Sequence, residues 1–201
     1  MHRVSGDGMA AGSDPIATFR AWMEDAEAKE WNDPNAAALA TASRDGMPSV
    51  RMVLMKRLDE RGFSFYTNAE SQKGVELAEN PRAAMCFHWK SLRRQVRVSG
   101  TVTELPAEDA DEYFHSRTRL SQLGAVASAQ SRVLESREAL EARVRELGDE
   151  FPGEIPRPEY WKGYVLRPER IEFWQDGAGR MHDRFLFVRS EDRWRMERLF
   201  P

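Results

Sequence analysis

The sequence predicts an α+β fold, a mainly antiparallel β-barrel with helices at its periphery. Three observations lead there. Five short strand-like segments crowd the stretch from Ala36 to Glu104, separated by turn residues. Helical periodicity takes over from Pro106 to Glu150. Strand character then returns at Gly163 and persists to Leu199. Strands grouped on either side of a helical excursion, rather than alternating singly with helices, form an α+β pattern.

Each element has a local reason. Asp14 can cap a helix whose first position is Pro15, and Phe19, Trp22, Met23 and Ala26 recur at helical spacing to about Trp31. Asn32-Asp33-Pro34-Asn35 breaks that pattern. Ala36 to Ala42 reads as a strand, Arg44-Asp45-Gly46 as a hairpin turn, and Ser49 to Leu58 and Gly62 to Thr67 as two more strands. Ser71 caps a short helix that runs through Glu79 and stops at Asn80-Pro81. Strands follow at Ala83 to Trp89 and Arg94 to Glu104. Pro106 opens a helix with acidic residues early and His115, Arg117 and Arg119 late, which complements the helix dipole. Further helices cover Gln122 to Ser128 and Ser136 to Glu150, and Phe151 to Pro158 is a Pro-rich connector. The last strands are Gly163 to Leu166, Arg170 to Gln175, Arg180 to Val188 and Arg193 to Leu199, with Asp176-Gly177-Ala178-Gly179 as a turn. Residues 1–13 read as a flexible leader before a single domain over residues 14–201.

Composition narrows the function. The 201 residues carry 30 Lys and Arg against 33 Asp and Glu, a net charge of −3. That balance argues against a nucleic-acid coat or a polybasic membrane anchor while leaving room for local anion sites. Cys86 is the single cysteine, so no intrachain disulfide and no Cys-rich metal site can form, and a reducing, cytoplasmic setting is the expectation. No apolar run reaches the roughly 18 residues of a membrane span. Dinucleotide, P-loop and zinc-protease motifs are absent, and four histidines without a cysteine pair do not suggest a zinc site.

What stands out are cations and aromatics inside regular elements. Arg51-Met-Val-Leu-Met-Lys56 places charge at both ends of an apolar strand. Regular alternation would point Arg51 and Lys56 to opposite faces, so a shared site requires the strand to end, twist or bulge between them. The plainer reading is two side chains reaching for water at strand ends. Tyr113, Arg117 and Ser121 are spaced by four, and on a continuous helix they would form one stripe suited to a phosphate. Otherwise they are a solvated helix end. On an extended strand Arg180, His182 and Arg184 share a face, which favours an anion unless that strand is an exposed edge. Tyr66-Thr67 and Ser71-Gln72-Lys73 flank a strand-to-helix turn whose N-terminus favours an anion, or else form an ordinary capped helix with a surface lysine. Trp161 and Cys86 read as core, and His88 and His115 as structural.

Together these segments carry a resemblance. Arg51-Met-Val-Leu-Met-Lys56, Phe65-Tyr-Thr-Asn68, Arg94-Gln-Val96, Tyr113-Phe-His-Ser-Arg117, Gln130-Ser131, Ile171-Glu-Phe-Trp-Gln175, Arg180-Met-His-Asp-Arg184 and the ending Arg198-Leu-Phe-Pro201 occur in order. In these segments the chain resembles the pyridoxine/pyridoxamine 5′-phosphate oxidases, FMN enzymes of vitamin B6 metabolism. The resemblance implies an FMN-binding split β-barrel and a homodimer with FMN at the subunit interface. It implies FMN contacts from Arg51, Met52, Val53, Leu54, Met55 and Lys56, from Tyr66, Thr67 and Lys73, and from Gln95, Gln130, Ser131, Trp174 and Arg184. It implies a substrate-phosphate grip by Lys56, Tyr113, Arg117 and Ser121, with Arg180, Met181 and His182 bordering the pyridine ring. Arg180 is the implied catalytic residue, with His182 assisting. The implied reaction oxidises pyridoxamine or pyridoxine 5′-phosphate to pyridoxal 5′-phosphate, with O2 as acceptor and hydrogen peroxide as product.

Two departures and two alternatives accompany it. The family pattern usually has Ser-Arg-Lys where this chain has Ser71-Gln72-Lys73, which takes one cation from the FMN phosphate. Met1 to Asp14 does not show the pattern of basic and tyrosine residues of the family's substrate-covering arm. A phenazine-biosynthesis type of FMN oxidase would share the flavin segments. A non-catalytic flavin or pyridoxal-phosphate binding module would also use them.

Overall fold

Pro15–Lys29 forms α1, and its amphipathic spacing determines where it sits. Asp14 caps it by accepting from the Ile16 amide at 2.9 Å, and Phe19, Trp22, Met23 and Ala26 are buried. In this computed structural model, which describes residues 13–191 and 193–201, α1 packs into a curled antiparallel sheet. The leader expected over residues 1–13 lies, but for Ser13, outside the described residues. Phe19 meets Phe63 and Phe87 edge-on, with ring centroids 4.9 and 5.0 Å apart. Burying each such ring is worth roughly 2 kcal/mol.

Among the described residues the sheet has nine strands: β1 (Ala36–Ala42), β2 (Pro48–Leu54), β3 (Arg57–Asp59), β4 (Gly62–Asn68), β5 (Arg82–Trp89), β6 (Arg94–Glu104), β7 (Trp161–Gln175), β8 (Asp183–Ser190) and β9 (Arg193–Arg198). Their order is β2-β1-β5-β6-β7-β4-β3, with β8 on β7 and β9 on β8, all antiparallel. The α+β barrel expectation holds. The remaining helices are α2 (Gln72–Glu79), α3 (Ala107–Ser116), α4 (Arg119–Ala127) and α5 (Arg137–Glu150). A second core of Ala110, Phe114, Leu123, Leu147, Ile155 and Trp161 joins α3, α4 and α5 to the start of β7. None of the described helices is long and apolar enough to cross a membrane.

Four boundaries differ from the sequence reading, each for a physical reason. The strand expected over Ser49 to Leu58 breaks after Leu54, because the chain changes partners there. The Met55 amide donates to Asn35 (2.9 Å) and the Lys56 amide to Ser64 (2.8 Å), so β2 pairs with β1 and β3 with β4. The two strands expected over Gly163 to Leu166 and Arg170 to Gln175 are one, β7. Pro168 is absorbed by a register shift between Ser99 and Gly100, which leaves Glu169 unpaired. The helix after Pro106 does not continue through Ser121. It ends at Ser116, Arg117 adopts extended backbone, and Thr118 caps α4 by accepting from the Ser121 amide at 3.3 Å. The strand expected from Arg180 starts only at Asp183. Gly179 and Arg180 have φ of 65° and 62° within a 3-10 turn over 178–180, so Arg180 and His182 do not alternate along a strand with Arg184.

Candidate active site

Where β2 gives way to β3, β4 runs alongside and α3 and α4 cover the gap. These elements line an open cavity of about 540 Å³. One wall is aromatic. Tyr66 stacks on Tyr113 (4.3 Å between centroids) and on Trp161 (5.5 Å). Tyr66 lies opposite Gly163, where a Cβ would come within 2.8 Å of the tyrosine ring, so a bulkier residue would displace the stack.

Arg117 enters beside this wall, its guanidinium 5.2 Å from the Trp161 ring centroid. Its Nη1 is buried and has no hydrogen-bond partner among the described residues. Desolvation pulls its pKa down, partly offset by Tyr113. A half-buried guanidinium with one buried, unused donor is costly unless an anion or other acceptor completes it. Lys56, with Nζ 5.6 Å from the Tyr113 ring centroid, and Ser121 line the same cavity. The helix break at Arg117 therefore keeps the Tyr113, Arg117 and Ser121 group together by a different route from the stripe expected on a continuous helix.

The other pole of the cavity is Lys73. It is buried, unlike the surface lysine of the plainer reading. Its Nζ donates to Thr67 Oγ1 (3.0 Å), Ser71 Oγ (3.1 Å) and Gln130 Oε1 (3.1 Å). Desolvation, reinforced by the Arg51 charge and opposed by Glu76, brings its pKa down to about 8. Ser71 also caps α2. Met52, Val53, Leu54, Tyr66, Thr67 and Gln130 line the cavity with it.

Arg51 and Met55 do not line it. Met55 is in the core. Arg51 faces a polar network in which Glu76 accepts from Thr41, from Ser49 (2.6 Å), from Arg51 (3.4 Å) and from Gln72 (2.9 Å). Burial pushes the Glu76 carboxyl up, but these hydrogen bonds and the Arg51 charge outweigh it and bring it down to about 2. Ser131, at φ 71°, accepts from the Gln72 amide at 3.2 Å, outside the cavity lining.

Gln95, Trp174, Arg180, Met181, His182 and Arg184 form a second group, none of it lining the cavity. Trp174 pairs with Gln95 across β6 and with Arg184 across β8, and its ring lies 4.7 Å from that of His182. Arg184 is bound to Glu172 at 2.9 Å. Met181 is 73% exposed.

The sequence reading missed Asn68, Gly124, Ala125 and Ser128 in the cavity wall and treated Trp161 as core only. Asn68 closes the Phe65-Tyr-Thr-Asn68 segment that carries the resemblance. The α4 residues carry small side chains with no signal of their own.

Residues 23–149 match the family model for pyridoxamine 5′-phosphate oxidase, and residues 161–201 match the pyridoxine 5′-phosphate oxidase C-terminal dimerisation region. The chain belongs to the pyridoxine/pyridoxamine 5′-phosphate oxidase family. Oxidases of that name from Sinorhizobium fredii and Anaeromyxobacter dehalogenans are 58% and 56% identical to it, covering 94% and 96% of this chain and 93% and 98% of theirs. The Gluconobacter oxydans oxidase is 54% identical over 94% of this chain and 95% of its own. Among solved structures, PhzG from Burkholderia lata, in complex with tetrahydrophenazine-1-carboxylic acid, superposes with a TM-score of 0.91 at 33% identity, covering 97% of this chain and 95% of its own. A pyridoxamine 5′-phosphate oxidase-related, FMN binding protein from Nostoc punctiforme shares the fold with a TM-score of 0.76 at 17% identity, covering 96% of this chain and all of its own. The split-barrel expectation and the oxidoreductase class stand on these matches, and family membership implies a flavin cofactor.

Proposed function

We propose that this chain oxidises pyridoxamine or pyridoxine 5′-phosphate to pyridoxal 5′-phosphate, using FMN and passing electrons to O2 to give hydrogen peroxide. The observation that carries the reading is one cavity lined by two cations, the buried Lys73 and an Arg117 whose Nη1 has no hydrogen-bond partner among the described residues. The cavity thus has two cationic poles, as a phosphorylated substrate beside a phosphorylated cofactor requires.

FMN fits the Lys73 pole. Lys73, Thr67, Gln130 and the start of α2 would hold its phosphate, and Met52 to Leu54 and Tyr66 would flank its ring. When bound, FMN supplies the hydride acceptor and the reaction with O2. The protein does the positioning. Arg117, Lys56, Tyr113 and Ser121 would hold the substrate phosphate, remote from the reacting carbon, so that binding energy aligns the ring. Gln72 binds Glu76 rather than standing free, in line with one fewer cation at the cofactor phosphate.

Gln95, Trp174, Arg180, Met181, His182 and Arg184 would reach a cavity from a second copy of the chain. They lie outside this chain's cavity, and most fall in the region matched to dimerisation. Arg180 would place positive charge near the substrate ring, with His182 beside it. Its left-handed backbone, unusual for a residue other than glycine, marks a constrained turn of the kind found at functional sites.

The test is an aerobic assay of FMN-supplemented protein with pyridoxamine 5′-phosphate, following aldehyde and peroxide together. Formation of both is expected. Bound flavin that substrate fails to bleach without oxygen would instead indicate a binding module. A second reading rests on the likeness to PhzG: oxidation of a tricyclic carboxylic acid. Turnover of tetrahydrophenazine-1-carboxylic acid without turnover of either B6 phosphate would favour it.

A further inference from the structure

The turn between β7 and β8 carries an acid that the proposed chemistry leaves unused. Asp176 follows β7 directly, with a side chain only 17% exposed, and its Oδ1 lies 3.2 Å from His182 Nδ1. The acid is braced from a separate hairpin. Its carboxylate pairs with Arg93, in the β5–β6 turn, and its amide donates to the Arg93 carbonyl at 3.0 Å. Gln175 Nε2 donates to the same carbonyl at 3.1 Å. The turn itself closes tightly. At Gly177 any Cβ would collide with the Met181 carbonyl, and this close approach brings His182 back beside Asp176. Trp174 covers the imidazole from one side.

His182 Nδ1 has a second neighbour, the Gly177 amide, at 3.2 Å. The two contacts make opposite demands. An amide N–H needs a lone pair on Nδ1, whereas a carboxylate needs a proton there. The Gly177 amide is aligned to donate to Nδ1, whereas the carboxylate is in charge contact with it; the attraction of a full negative charge at 3.2 Å for the ring proton exceeds that of one neutral hydrogen bond. We propose that Asp176 is a positioning residue for His182: it holds the ring proton on Nδ1 and thereby leaves Nε2 with its lone pair. An Nε2 lone pair can accept a hydrogen bond or a proton from a substrate donor, whereas an Nε2–H can only donate. The Gly177 amide retains the ring when Nδ1 gives up its proton, so the imidazole keeps its orientation in either state. The catalytic meaning of this arrangement rests on the proposed function, in which His182 borders the substrate ring. The arrangement itself does not.

The experiment is long-range 1H–15N NMR of the FMN-loaded protein, with the His182 signals identified by their loss in His182→Asn. In its neutral form His182 is expected as the Nδ1–H tautomer. Asp176→Ala should convert it to Nε2–H, held by Gly177 alone, while Asp176→Asn, which keeps an acceptor oxygen, should retain Nδ1–H. With pyridoxamine 5′-phosphate, Asp176→Ala should lower kcat about tenfold, a fraction of the roughly 10²–10⁴-fold that a positioned acid–base group contributes. KM should stay near the parent value, and Asp176→Asn should recover most of the rate. An Nε2–H tautomer in the parent, or an unchanged tautomer in Asp176→Ala, overturns the proposal. The parent spectrum decides alone if Asp176→Ala fails to fold. The expected tautomers in a parent that does not oxidise the substrate would support the Asp176 assignment while overturning the proposed function.

Discussion

Lys73 is buried and Arg117 half-buried, and each cation makes a separate measurement possible. The folded pKa of Lys73, about 8, lies below the usual lysine value of 10.5. Between those values the unfolded chain binds more protons than the folded one, so the penalty for burying the ammonium is complete below about 8 and is relieved as pH rises to 10.5. Lys73→Met should therefore raise the melting temperature of the flavin-free protein most at or below pH 8, and the gap should close toward pH 10.5. A gap that does not change with pH would contradict this. An anion at Nζ favours the charged form, so FMN binding near pH 8 should take up protons, visible in calorimetry as a dependence on buffer ionisation enthalpy. Arg117→Ala should raise KM for pyridoxamine 5′-phosphate by roughly 10- to 100-fold, the value of a charge-assisted phosphate contact of about 1.5–3 kcal/mol. An unchanged KM would remove Arg117 from the phosphate site.

At the scale of elements, the site depends on places where regular structure stops. β2 ends at Leu54, α3 ends at Ser116, and α2 starts after Ser71. Ser71 both caps α2 and accepts from Lys73, so Ser71→Ala should cost about 1 kcal/mol as a lost cap. It should also weaken FMN binding measured by flavin fluorescence, whereas a cap elsewhere, such as Ser136 on α5, should affect stability alone. The Glu76 network ties α2 to β1 and β2 through Thr41, Ser49 and Arg51. The depressed Glu76 pKa is a stability term present above the usual 4.5 and lost as pH falls through about 2. Thermal melts across that window should show a steeper acid loss in the parent than in Glu76→Gln, and equal slopes would contradict it.

At the scale of the whole molecule, one chain supplies a cavity with two cationic poles, and a separate group of motif residues lies elsewhere on the same chain. A single copy does not bring the two together, which is the physical case for a homodimer. The exposed Val50 and Met52 on β2 and Met181 on the β7–β8 turn are apolar side chains that such an interface would bury. Sedimentation should show a dimer. Mixing Arg117→Ala with Arg180→Ala subunits should restore part of the activity that each homodimer lacks, because each hybrid rebuilds one intact site from two chains. No restoration at any mixing ratio would place both residues in the same subunit's site.

The sequence by itself determined the fold class, the caps at Asp14 and Ser71, and the family. These follow from short-range chemistry: alternation, capping side chains and turn residues act within a few positions, and the motif strings stand in order along the chain. The tertiary structure decided the rest, because those features depend on partners distant in sequence. The break in the Arg51 to Lys56 strand arises from a change of pairing partner. The union of the last two predicted β7 segments depends on a bulge opposite Pro168. Burial of Lys73 depends on Thr67 and Gln130 closing over it, and the helix break at Arg117 lets its guanidinium lie against Trp161. The Asp176–His182 pair is the clearest case. The sequence reads Asp176 as the start of a turn and His182 as part of the strand after it, and only the folded path through Gly177, Gly179 and Arg180 brings the carboxylate to the imidazole.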